Sequence, residues 1–269
     1  MPTIEANGQE LYYEVHGEGE PLLCVHGLAA DTLSWALQVP AFSERYRTVV
    51  FDNRDVGRSS MASQPYDVVD MARDAFGVAD GLGLDGFHLL GVSLGGAIAQ
   101  EMALAAPGRI RTVTLAASWA GGGAYARETS RVWALRARRL SREEHVDSLM
   151  LLTLSEAFYE NEDAVSFVRN MILQHPYPQP VEAFVRQVEA SGRFDARERV
   201  PSMSLPVHVI GAEHDILIPV WKSRELAELI PGARFTVIER APHGMTLERA
   251  EEFNRAVLEF LAETSPAPV

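Results

Sequence analysis

Short, largely apolar runs alternate along this chain with longer stretches in which apolar residues recur every three or four positions. The run 21–25 (Pro-Leu-Leu-Cys-Val) is continuous and apolar, the pattern of a strand buried on both faces of a sheet. Further strands are predicted at 46–51, 86–90, 111–117, 206–210 and 234–238. Between 66 and 82, the spacing of Val68, Val69, Ala72, Phe76, Ala79 and Leu82 predicts a helix with one apolar face. Helices are also predicted at 97–106, 220–229 and 247–262, and Trp35 is placed in a helix after the first buried strand. Residues 4–16 read as two extended pieces around Asn7-Gly8, a hairpin signal. Strand and helix in alternation predict an α/β fold, a mostly parallel central sheet flanked by helices.

The alternation breaks between 121 and 200, where only helical segments are predicted, at 124–140, 142–159, 162–173 and 181–190. Ser141 with Glu144 fits a capping box, Asn161 an N-cap, and the proline-rich segment 175–180 a connector. This gives a core of 1–120 and 201–269, with a helical cap (lid) at 121–200 inserted after the sixth strand. Residues 264–269 read as a frayed tail.

Composition narrows the partners. With 24 Lys and Arg against 37 Asp and Glu, the net charge of −13 argues against nucleic acid or an anionic membrane surface. The single cysteine, Cys24, cannot form an internal disulfide and reads as a buried apolar residue in a reducing compartment. No leader pattern or membrane-length apolar stretch is present, so the expected location is cytoplasmic. No His, Cys and carboxylate cluster has metal-ligand spacing, so neither a metal nor another cofactor is expected.

The candidate chemistry starts at Gly91-Val92-Ser93-Leu94-Gly95-Gly96, a serine between glycines where a strand must turn into a helix. Such an elbow strains the serine backbone, requires neighbours without bulk, and aims a helix N-terminus at the hydroxyl. Ser93 is thus the candidate nucleophile. The backbone amide of Leu94, and that of Leu28 in His26-Gly27-Leu28, are candidate oxyanion donors. Asp215 and His243 fall just beyond predicted strand ends, where open α/β sheets place their chemistry. A histidine can take a serine proton if its other nitrogen is fixed by a carboxylate. Glu213 and Glu239 are the competing acids. His26 reads as a residue that orients its loop, and His88 and His214 as ordinary polar positions. Trp35, Trp119, Tyr125 and Trp133, together with His26, are candidates for lining a substrate pocket, with Trp119 balanced between pocket and core. The arginines at 127, 131, 136, 138, 139 and 142 read as a solvated helix face, with attraction of an acidic substrate as the alternative.

Over nearly its whole length the chain resembles the α/β-hydrolase superfamily. The resemblance rests on His26-Gly27, Asp52-x-Arg54-x-x-Gly57-x-Ser59, Gly91-x-Ser93-x-Gly95-Gly96, Gly211-x-x-x-Asp215-x-x-x-Pro219 and His243-Gly244. It implies Ser93 as nucleophile, His243 as general base, Asp215 as orienting acid, and the Leu28 and Leu94 amides as oxyanion hole. The pattern is most similar to small capped enzymes that include enol-lactone hydrolases and carboxylesterases. Arg54-Asp55, where Gly commonly follows the Arg, resembles methyl esterases acting on polyketides. The expected activity is cleavage of a small-molecule ester or lactone through an acyl-enzyme. An amidase, a cofactor-free perhydrolase or haloperoxidase-like enzyme, and a non-catalytic ligand-binding receptor on the same fold stay open. A serine rather than an aspartate at position 93 disfavours epoxide hydrolases and haloalkane dehalogenases.

Overall fold

A computed structural model describes residues 1–264. Eight strands form one sheet among these residues, in the order β1-β2-β4-β3-β5-β6-β7-β8. The strands are β1 (Thr3–Ala6), β2 (Gln9–His16), β3 (Glu20–Val25), β4 (Tyr46–Phe51), β5 (Phe87–Val92), β6 (Ile110–Ala116), β7 (Val207–Ala212) and β8 (Arg234–Ile238). The N-terminal hairpin pairs antiparallel and joins β4 antiparallel, and every other pairing is parallel. All six residues of β5 and of β7 are buried, as strands covered on both faces require. One apolar cluster packs α2 (Val68–Gly81) and α3 (Leu94–Ala105) on one face of the sheet. A second cluster packs Trp35, Phe42 from α1 (Val39–Phe42) and the C-terminal helix α11 (Ala250–Thr264) around Cys24 and Leu90. Cys24 is fully buried there, and burial pushes its thiol pKa far up.

Five helices separate β6 from β7: α4 (Gly123–Ala137), α5 (Arg142–Thr153), α6 (Glu156–Tyr159), α7 (Glu162–Leu173) and α8 (Val181–Arg193). The Ser141–Glu144 capping box and the Asn161 cap both form. Then come α9 (Val220–Leu229) and α10 (Met245–Glu248).

Four expectations need correction, and one is the single helix predicted at 247–262, which is α10 and α11 separated at Arg249. The single helix predicted over 142–159 is two, broken at Leu154-Ser155. There the Gly244 amide donates to the Thr153 carbonyl at 2.7 Å, and Ser155 donates from both its amide and its hydroxyl to the Glu248 carboxylate. Tertiary hydrogen bonds thus replace the bonds that would have continued the helix. The helix predicted from 97 begins at Leu94, so Gly95 and Gly96 are helical. A Cβ on Gly95 would overlap the Val25 carbonyl, and one on Gly91 would overlap the Gly95 carbonyl. The glycines allow this close approach, as the expected elbow without bulky neighbours requires. Trp35 ends a 3₁₀ turn, Thr32–Trp35, capped by the Asp31 side chain, instead of lying in an α-helix. Of the tail predicted at 264–269, Thr264 closes α11 and the rest lies outside the described residues.

Candidate active site

Ser93 sits between β5 and α3 with φ 56° and ψ −120°, a conformation L-residues rarely adopt. Its amide donates to the Ala116 carbonyl at 2.8 Å, and its carbonyl accepts from Ser118 Oγ at 3.0 Å, so both flanks of the turn are held by β6 and the residues after it. Gly27 lies against it, and a Cβ there would stand 2.9 Å from the Ser93 Cβ. The strand ends β3 and β5 therefore meet at the serine.

The His243 ring bridges two partners. Its Nε2 lies 3.0 Å from Ser93 Oγ and its Nδ1 2.6 Å from Asp215 Oδ2. The other oxygen of Asp215 accepts the Leu217 and Ile218 amides, each at 2.8 Å, so the carboxylate is fixed by its own loop. Glu213 instead accepts the Arg240 amide at 2.7 Å, and Glu239 is exposed, which leaves Asp215 as the carboxylate on the histidine. A hydroxyl bonded to an imidazole so held can lose its proton as it attacks a carbonyl. Among the described residues the amides of Leu28 and Leu94 take no hydrogen-bond acceptor, and Leu94 opens α3 beside the hydroxyl.

The loop after β4 braces this arrangement. Asp52 is buried and accepts the Thr32 and Arg58 amides, both at 2.8 Å, while Ser59 Oγ donates to the Asp52 carbonyl at 2.5 Å. Asn53 Nδ2 donates to the His26 carbonyl at 3.0 Å, tying that loop to the turn over Ser93. Arg54 pairs with buried Asp74 at 2.5 and 2.6 Å, and Asp55 with Arg186 of α8 at 2.6 and 2.8 Å. The Arg54-Asp55 pair is thus committed to ion pairs inside the protein.

The remaining candidates divide. His26 Nδ1 accepts the Gly27 amide at 2.7 Å, and its ring meets Trp35 edge-on at 4.8 Å. Burial, with the nearby His243 charge, pushes the His26 imidazole down to about 3, so it stays neutral near pH 7. Trp119 is buried against Phe194 within the sheet-side cluster. Tyr125 is 78% exposed on α4 and encloses nothing. Trp133 is half-buried, packs on the cluster that Leu28 and Ala29 also contact, and borders a small cavity of about 10 Å³ with Arg136, His145, Ser148 and Phe184. His88 is buried between Thr112 and Glu20, and His214 is exposed. Two of the arginines are committed to surface pairs, Arg131 to Glu128 and Arg138 to Glu182. No group of three metal-ligating side chains occurs among the described residues, and no helix there is long and apolar enough to cross a membrane.

The family profile described as alpha/beta hydrolase fold matches residues 20–250. The chain belongs to the alpha/beta hydrolase family. Its membership makes it a hydrolase, and similarity extends over the full length of individual relatives. A protein of Azorhizobium caulinodans named "Putative carbamate hydrolase RutD" is 30% identical over 266 residues, covering 98% of this hydrolase and 99% of that protein. The crystal structure of the enol-lactonase from Burkholderia xenovorans LB400 superposes with a TM-score of 0.90 at 28% identity, covering 97% of this chain and all of that one. A thermophilic esterase from Thermogutta terrifontis superposes at 0.88 with 26% identity, covering 98% and 99%.

Sequence reasoning missed Gln187, Arg186 and Glu248, which carry no motif. Each acts on a loop more than 90 positions away, so no local pattern marks them.

Proposed function

We propose that this hydrolase cleaves a carboxylic ester or lactone of a small to medium organic molecule through an acyl-enzyme on Ser93. The observation that carries the reading is the unbroken chain Ser93–His243–Asp215 at 3.0 and 2.6 Å, ending on a serine in strained elbow geometry. His243 takes the Ser93 proton as Oγ attacks the carbonyl carbon, and the carbonyl electron pair moves onto oxygen. The Leu28 and Leu94 amides stabilise that oxyanion, each worth about 3 kcal/mol in such sites. Collapse expels the alkoxide, which leaves with the proton from His243. Water, deprotonated by the same imidazole, then hydrolyses the acyl-enzyme. Asp215 keeps the Nδ1 proton facing itself and steadies the imidazolium without being protonated. Residues 121–200 act as the cap that selects the substrate, with Trp133 the candidate wall residue beside the Leu28 turn.

Cleavage of a carbamate is a second reading, favoured by the relatives named for carbamate hydrolysis. It would use the same steps through a carbamoyl-enzyme. Turnover of p-nitrophenyl acetate, a γ-lactone and an N-alkyl carbamate by wild type and Ser93→Ala tests both. Ser93→Ala should lose about 10⁴-fold or more in kcat on whichever class is turned over. Wild-type turnover by that variant overturns the nucleophile, and preference for the carbamate over ester and lactone favours the second reading.

A further inference from the structure

Gln187 is fully buried on α8, a helix of the region between β6 and β7, although a leucine or methionine would fill that space without polar atoms to satisfy. Its amide reaches three chain segments. Oε1 accepts the Ala29 amide at 3.1 Å and Gln179 Nε2 at 3.0 Å, while Nε2 donates to the Arg54 carbonyl at 3.1 Å. The partners fix which end is which, because Ala29 presents an N–H and Arg54 a carbonyl. Gln179 Nε2 also donates to the Asp55 carbonyl at 2.9 Å, and Arg186, the preceding residue, clamps the Asp55 carboxylate.

Ala29 has φ 59°, the left-handed region that alanine disfavours. Among the described residues, the bond from Gln187 is the single side-chain hydrogen bond made to residues 28–30, and the backbone bond of that turn, Ala30 to the Gly27 carbonyl, is long at 3.4 Å. The Leu28 amide lies one peptide before the bonded one. Its direction therefore depends on a strained turn that α8 holds from outside. This dependence rests on the serine-hydrolase reading, in which the Leu28 amide is an oxyanion donor.

We infer that Gln187 is a positioning residue: it holds the Leu28–Ala29 turn so that the Leu28 amide faces the oxyanion, and it makes transition-state stabilisation depend on how α8 is seated. Closing the cap region and completing the oxyanion hole are then one event, since the same side chain contacts both.

Gln187→Met tests this, because methionine keeps the volume and removes the hydrogen bonds. With p-nitrophenyl butyrate as substrate, kcat should fall about tenfold or more, less than the about 10²-fold for outright loss of a donor, while KM stays within about twofold. Phenylboronic acid, whose tetrahedral adduct on the serine places a hydroxyl where the oxyanion forms, should lose affinity by the same factor as kcat/KM. The melting temperature should fall modestly, because the Ala29 amide and the Arg54 carbonyl lose their partner. Arg186→Leu, which removes the ion pair of α8 with Asp55 and leaves the Gln187 hydrogen bonds to the Ala29 and Arg54 turns in place, serves as the structural comparison and should lower the melting temperature while leaving boronate affinity within about threefold. Wild-type kcat and boronate affinity in Gln187→Met overturn the inference. So does an equal loss of boronate affinity in both variants, which marks Gln187 as an anchor only. Ser93→Ala runs alongside: if it stays active, the underlying reading fails and this assignment falls with it, whereas an inactive Ser93→Ala beside an unaffected Gln187→Met refutes the inference alone.

Discussion

Asp215 contributes to the site through both of its oxygens, one on His243 and one on two amides of its own loop. Asp215→Asn keeps the shape but presents an NH₂ to the imidazole or to those amides, which disfavours the tautomer that accepts from Ser93. We expect kcat on an ester to fall about 10⁴-fold with the fold intact, read by steady-state kinetics and circular dichroism. A loss below tenfold would point to a different acid. Buried histidines add to the dependence of stability on pH. His208 is buried in β7, bonded to Thr236 and lying against Phe260, and burial, with Arg234 nearby, pushes its imidazole down to about 4. Between about pH 6.5 and 4 the unfolded chain binds a proton that the native His208 refuses, so stability falls as pH drops through that window. The slope contributed is up to about 1.4 kcal/mol per pH unit. His26 adds the same sign over a window reaching down to about 3. Urea midpoints measured from pH 7 to 4 should decline less steeply in His208→Leu than in wild type, and equal slopes would remove His208 from the account.

Elements meet at the elbow with almost no free space. Gly95 in the first turn of α3 faces the carbonyls of Val25 and His26, so backbone from β3 stands where a side chain would go. Gly95→Ala must push α3 off β3, and the expected cost is about 3 kcal/mol or more, with Ser93 displaced from His243. A lowered urea midpoint together with lost ester turnover would bear this out, whereas a stable, active variant would mean the turn is looser than its geometry. At the other side of the site, α8 depends on the Arg186–Asp55 pair. Asp55 has no exposure, so Arg186→Leu leaves a buried carboxylate without its cation, at an expected cost of about 3 kcal/mol in urea unfolding.

In the whole molecule, the five helices between β6 and β7 are attached to the sheet loops at several places, and two of these attachments flank the reacting serine. One is α8 on the turns at Ala29 and at Arg54-Asp55. The other is the break at Thr153–Ser155 on Gly244 and Glu248, next to His243. The region thus grips the loops on both sides of the reacting serine. Ser155→Ala removes one bond to the Glu248 carboxylate, worth about 2 kcal/mol. Amide exchange in residues 142–160 should then speed up about 30-fold, with β5 and β7 unchanged, if that attachment limits local opening. Unchanged exchange there would show that other contacts hold the region.

How much of this was legible beforehand follows from the range of the interactions. The strands at 46–51 and 234–238 and the helices at 162–173 and 220–229 match the observed bounds, because burial pattern and caps are local properties. The elbow and the candidates Asp215 and His243 were legible as positions beyond predicted strand ends, whereas the choice of Asp215 over Glu213 and Glu239 came from the family resemblance. By itself the sequence determined the α/β layering, the order of the strands' chemistry and the three residues that meet at 2.6 and 3.0 Å. Only the tertiary structure decided that Trp119 is buried and Tyr125 exposed, that a helix breaks at Leu154, and that Gln187 reaches a turn 158 positions away. Those outcomes depend on which surfaces the packed helices bring together, and buried hydrogen bonds between segments leave no period or motif in either segment alone.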